Sequence, residues 1–235
     1  MDAKGILITV VVIVVIFLIY KAFFGDSSLS SLEDAKKTQT ISSSSLGSSE
    51  SNSSANFTYS IWFYVDDWNY KYGVPKVVLA HGSDKSAKGG FGIVLGGMQN
   101  DLNIAVETYP NKGSSEGSSH TCNVQNIPLQ KWVHCLVSLY GKSLDVYIDG
   151  KLVRTCVMPG IAKVDTSKDA YITPLGGFSG YTSAFQFWPN ATNPQEAYNI
   201  YKQGFGGSAL GNLFNKYRVK VSFLEDNQEQ GSFEI

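Results

Sequence analysis

LDVYIDGKLVRTCV, residues 144–157, reads as two short strands folded back on each other. Leu144, Val146 and Ile148 share one face of the first strand, because side chains alternate along extended backbone. Asp149-Gly150 supplies the turn, since the pair tolerates the positive φ that a tight hairpin demands. The preceding stretch, KWVHCLVSLY (131–140), extends the pattern. Val133, Cys135, Val137 and Leu139 form an apolar face, with Trp132, His134, Ser138 and Tyr140 opposite. Cys135 therefore reads as a packed core thiol rather than a ligand or nucleophile.

Working outward, FTYSIWFYV (57–65) puts Phe57, Tyr59, Ile61, Phe63 and Val65 on one face, with Trp62 and Tyr64 on the other. Further strands are expected over 76–81, 91–95, 102–108, 171–174, 181–188 and 217–224. Glycine and Asp-Gly turn signals separate most of them. Asn193-Pro194-Gln195-Glu196 places an N-cap, a first-turn proline and an N3 carboxylate, so one short helix follows as far as Gly204. Many short strands with one helix predict an all-β, two-sheet antiparallel sandwich.

Outside this block the composition shifts twice. Gly5–Phe24 is twenty residues of almost unbroken apolar sequence, about 30 Å as a helix, which matches a bilayer core. Lys21 near one end can snorkel to the interface, and no A-x-A-like cleavage site follows. A transmembrane anchor is expected over 1–25. Residues 26–55 are polar and serine-rich, and such a run cannot bury enough apolar area to offset its ordering entropy. A flexible linker is expected there, then the sandwich over 56–204 and a one-stranded extension over 205–235. The flanking charges are too balanced to orient the anchor. A net charge of −1, with 17% charged residues, gives no field suited to nucleic acid.

KWVHCLVSLYGKSLDVYIDGKLVRTCVMPG (131–160) resembles the laminin-G-like pattern of the concanavalin A-like lectin/glucanase superfamily. LGGFSGYTSAFQFWPNATNPQEAYNIYKQG (175–204) is similar to the closing segment of that family. The resemblance spans about residues 55–204 and implies a jelly-roll sandwich, a fold that hosts lectins, hydrolases, adhesion modules and structural proteins. The order of anchor, serine-rich tether and sandwich, with YSIWFYVDDWNYKYG (59–73), also resembles membrane-associated proteins of large DNA viruses, minor capsid components among them.

Glucanases of this superfamily cut with a Glu-x-Asp-x-x-Glu triplet, which brings an acid and a nucleophile to one glycosidic bond. This chain has no such triplet: Glu225, Asp226 and Glu229 have the wrong spacing, and Asp145 and Asp149 lack a third carboxylate. No catalytic residue and no obligatory cofactor is expected. Calcium at the sandwich rim, as in several relatives, has candidate ligands in Asp66, Asp67 and Asn69, against the plainer reading of a solvated strand end. Trp68, Tyr70 and Tyr72 are binding candidates, because aromatic platforms stack on sugars and anchor protein interfaces; the alternative is that they cover the end of the core. If one disulfide forms, it joins Cys122 to Cys156, since Cys135 faces inward; in a reducing compartment free thiols are the alternative. Asn52, Asn56 and Asn190 begin glycosylation sequons that matter only in a lumenal setting.

These readings predict a non-catalytic, membrane-anchored attachment protein. The favoured setting is a large DNA virus, where the sandwich links the internal membrane to capsid proteins. The alternative is a carbohydrate-binding or adhesion protein on a cell or virion surface, with a glycan as partner.

Overall fold

The computed structural model describes residues 28–46, 56–82, 85–87, 89–110 and 118–206, and the backbone of 220–225 and 228–234. The expected anchor at Gly5–Phe24 lies outside these residues. Among the described residues, no helix is long and apolar enough to cross a membrane.

The chain forms β1 (Glu33–Asp34), β2 (Gln39–Ile41), β3 (Phe57–Asp67), β4 (Lys76–Gly82), β5 (Gly90–Leu95), β6 (Leu102–Thr108) and β7 (Ser118–Val124). It continues through β8 (Trp132–Tyr140), β9 (Ser143–Ile148), β10 (Lys151–Val157), β11 (Ala170–Ile172), β12 (Ser179–Trp188) and α1 (Pro194–Gln203). Two six-stranded sheets result, in the orders β1-β12-β3-β8-β9-β10 and β2-β11-β4-β5-β6-β7. Every pairing is antiparallel.

The core lies between the sheets and is made of alternate residues. Phe57, Tyr59, Ile61 and Phe63 of β3 and Val133, Cys135, Val137 and Leu139 of β8 meet Phe91, Ile93, Leu95 and Ile104 of the facing sheet. The Tyr59 ring stacks on Phe91 at 4.1 Å between centroids, and its hydroxyl bonds to His81 Nδ1. Asp149 and Gly150 both take positive φ, 50° and 73°, so the β9–β10 turn has the twist that two-residue hairpins favour. Burial pushes the Cys135 thiol up to about 12, which keeps it an inert neutral group. Cys135→Ser, which buries a poorly paired hydroxyl, should destabilise the fold by roughly 1–3 kcal/mol in chemical denaturation.

α1 begins with a reciprocal cap. Asn193 Oδ1 accepts from the Glu196 N–H at 2.9 Å, and Glu196 Oε2 accepts from the Asn193 N–H at 3.3 Å. The helix lies on the outer face of the first sheet, where Ala197 and Ile200 pack on Leu136 and Tyr147.

Three readings need correction. Residues 28–46 belong to the sandwich rather than to a linker. β1 pairs with β12, β2 pairs with β11, and Ala35, Ile41 and Leu46 enter the core. Strands of two or three residues contribute so few inward side chains that the segment looks uniformly polar. The serine-rich remainder, 47–55, lies outside the described residues. β7 was not expected, because its outward residues Ser119, Thr121 and Asn123 dilute the signal from Cys122 and Val124. Finally, the C-terminal extension carries two strands. β13 (Lys220–Glu225) and β14 (Gln228–Glu234) pair antiparallel in a compact unit separate from Ser28–Phe205.

Candidate binding surfaces

Both candidate carboxylates of the β9–β10 hairpin have structural tasks. Asp145 Oδ1 accepts from Thr155 Oγ1 at 2.6 Å. Asp149 Oδ1 accepts from the His134 N–H at 2.9 Å, and its Oδ2 pairs with Lys131 at 3.3 Å. The side chains of Glu225, Asp226 and Glu229 lie outside the described residues. His134 is buried with Nε2 on Ser60 Oγ at 2.8 Å, and burial lowers its pKa to about 3, so it stays neutral.

At the rim, Asp67 Oδ1 accepts from the Asn69 N–H at 2.9 Å and closes a local turn, while Asp66 is exposed beside it. Among the described residues, no three His, Cys, Asp or Glu side chains converge as a metal site.

The structure divides the three loop aromatics. Trp68 is half-buried against the core, with Lys76 Nζ 4.4 Å from its ring centroid. Lys76 is only 1% exposed, its ammonium has no hydrogen-bond partner among the described residues, and burial lowers its pKa. Tyr70 donates its hydroxyl to the Gly176 carbonyl at 3.2 Å, and Lys36 and Lys71 lie over its ring at 5.0 and 5.5 Å. Only Tyr72, 60% exposed, projects freely. Trp68 thus covers the core end and the buried ammonium. Trp68→Ala should cost about 2 kcal/mol, less than a fully buried Trp because the ring is half-exposed. Thermal unfolding of that variant, with binding measured on the folded fraction, checks this.

A different aromatic surface forms on the outer face of the first sheet. Tyr181 of β12 is directly opposite Tyr64 of β3, which is directly opposite Trp132 of β8. Ring centroids lie 6.4 Å apart for the first pair and 5.8 Å for the second. Phe205 stacks on Trp132 at 4.4 Å, with the planes within 8°. Tyr181 is 48% exposed, and the other three rings are half-buried. Gly180 makes the approach close: a Cβ there would lie 1.8 Å from the Tyr64 carbonyl oxygen, so any side chain would push β12 off β3. Strand alternation places Tyr64 and Trp132 outward, but their alignment with Tyr181 depends on register between strands far apart in sequence.

Cys122 and Cys156 are joined by a disulfide across 6.0 Å between Cα atoms, linking the edge strands β7 and β10 of opposite sheets. Asn56 Oδ1 accepts from the Gly141 N–H at 2.8 Å. Asn190 is exposed, and its carbonyl accepts from Thr58 Oγ1 at 2.8 Å. Asn52 lies outside the described residues.

Among solved structures, the chain is similar to the binding domain of botulinum neurotoxin DC in complex with rat synaptotagmin II. That match has 12% identity and a TM-score of 0.51, covering 70% of this chain and 38% of the other. It is also similar to the HCR/D F1240A mutant, at 8% identity and a TM-score of 0.55, covering 75% of this chain and 45% of the other. The likeness is one of fold, and this chain spans less than half the length of either structure. No curated protein matches the sequence. A laminin-G family model matches residues 37–197, from just before β2 to the first turn of α1, and so covers both sheets apart from β1 and more than half of the chain. With the two-sheet antiparallel topology, that match means the chain belongs to the concanavalin A-like lectin/glucanases superfamily.

Proposed function

We propose that the sandwich is a non-catalytic binding module that recognises carbohydrate through the Tyr181–Tyr64–Trp132 row. The membrane segment at Gly5–Phe24 would display it on a cell or virion surface. The observation that carries the reading is the row itself. Three rings in cross-strand register, tilted 50° and 55° to their neighbours, give an ordered aromatic ridge that can meet the C–H faces of successive sugars. The rings are preorganised on strands, so little rotamer entropy is lost on binding.

The test is a glycan array with the full chain in nanodiscs, comparing wild type with Trp132→Ala and Tyr64→Ala. Truncating an aromatic hot spot should cost at least about 2 kcal/mol, roughly thirtyfold in affinity. Unchanged binding by both folded variants would remove the row from the site.

Protein attachment, as in a minor capsid component, is the second reading. It draws on the outer strand β10, where Leu152, Val153 and Val157 are exposed on a sheet edge. Crosslinking in the native membrane would identify such a partner.

A further inference from the structure

β7 and β10 are the edges of different sheets, and the Cys122–Cys156 disulfide holds them side by side. A cleft of about 350 Å³ opens next to this link, with Ile127, Pro128, Ile148 and Val153 as its apolar lining and Arg154 among its polar lining. Its volume is at the lower end of small-ligand sites, enough for one or two sugar rings. Gln125 and Asn126 line this lobe and also a second one, of about 320 Å³, which contains Gln99, Asn100 and Asp101.

The polar groups along the cleft differ in what they leave open. Asn100 and Asp101 are partly committed: Asn100 Nδ2 donates to the Ile127 carbonyl at 2.9 Å, and Asp101 Oδ2 accepts from Asn123 Nδ2 at 2.8 Å. The Asp101 carboxylate makes the second lobe unfavourable for an anion. Arg154 and the side-chain amides of Gln125 and Asn126 have no hydrogen-bond or ion-pair partner among the described residues. Asn126 holds a left-handed backbone, φ 60°, at the junction of the two lobes. The lobe beside the disulfide is therefore cationic and partly apolar, the second lobe is polar and anionic, and the two amides line both.

We propose that this cleft binds a carboxylate-bearing sugar residue. The Arg154 guanidinium takes the carboxylate in a fork-like pair. Gln125 and Asn126 bond the ring hydroxyls, and the apolar lining receives the C–H face. The chemical class rests on the carbohydrate reading above, but the site uses none of the aromatic row. It adds an acidic residue to the ligand's description and makes the disulfide a spacer that sets the cleft width.

Saturation-transfer NMR with sodium glucuronate and its methyl ester, on the full chain in nanodiscs, tests this. Glucuronate should bind wild type at least about tenfold more tightly than the ester, the scale of a charge-assisted pair. Arg154→Gln should abolish that preference. Asn126→Gly, which keeps the left-handed backbone without the amide, should weaken acid and ester alike. Equal binding of acid and ester, a preference that survives Arg154→Gln, or no glucuronate binding would each overturn the proposal. The carbohydrate reading is decided separately by the array, through Trp132→Ala and Tyr64→Ala with neutral glycans.

Discussion

Reducing the Cys122–Cys156 disulfide should lower folding stability by about 3–4 kcal/mol, the chain-entropy value for a cross-link closing a loop of this length. The two cysteines are 34 residues apart, and the loop contains β8, β9 and most of β10, three consecutive strands of the first sheet. Freed of the link, the unfolded ensemble gains the conformations that the closed loop forbids. The folded state also loses its covalent tie between sheets at an edge where few other contacts bridge them. Urea unfolding with and without reductant measures the difference, and Cys122→Ala with Cys156→Ala should reproduce it. Cys135 is a suitable internal control, because it is fully buried and stays out of thiol exchange. A shift under about 1 kcal/mol would mean that the reduced chain keeps the two edges together in its unfolded state.

The second large effect is acid sensitivity through His134. In the unfolded chain its imidazole takes up a proton near pH 6.5, whereas burial under Trp62 and Tyr201 delays that event to about 3. The unfolded state thus binds more protons throughout this window. Stability is full above about pH 6.5 and falls as the pH drops. The loss is about 1.4 kcal/mol per unit, on the order of 4–5 kcal/mol across the window. His81 is also lowered by burial, partly offset by its bond to the Lys168 carbonyl and by Asp165 and Asp169, so it adds loss in the same direction. His134→Gln keeps a polar partner for Ser60 but removes the titration. Its stability should therefore decline less between pH 6.5 and 4 than that of wild type. Parallel declines for the two proteins would show that His134 is not the cause.

The acid effect arises in a part of the fold that alternation makes legible, whereas β7, which carries one end of the disulfide, is not. Phe57–Val65 and Val133–Leu139 each declare an inward face, because burying one side of a sheet leaves a period of two in the sequence. The helix is equally explicit, since its cap is spelled out in four consecutive residues from Asn193 to Glu196. What stayed hidden depends on partners distant in sequence. β1 and β2 are too short to show a period and exist only because β12 and β11 pair with them. The Tyr181–Tyr64–Trp132 row needs the register of three strands at once, and the Arg154 cleft needs the edges of both sheets. Trp68 shows the converse. Its exposed-looking neighbours, Asp66, Asp67 and Asn69, suggest a solvent-facing loop, yet its ring turns inward to cover Lys76.

The two ends of the sandwich unit meet β12 two residues apart. The Leu29 N–H donates to the Phe185 carbonyl at 2.6 Å, and Ser183 Oγ donates to the Phe205 carbonyl at 2.6 Å. β12 bulges here, with Ala184 at φ 48°, so an extended strand's rise of roughly 7 Å is the upper limit of that offset. A fold that begins and finishes at neighbouring points can be spliced into a surface loop of an unrelated host without stretching it. Residues 28–205 are thus a transplantable cassette, and the same closeness lets the ends be joined by a short bridge and the chain reopened at Gly141, creating a circular permutant.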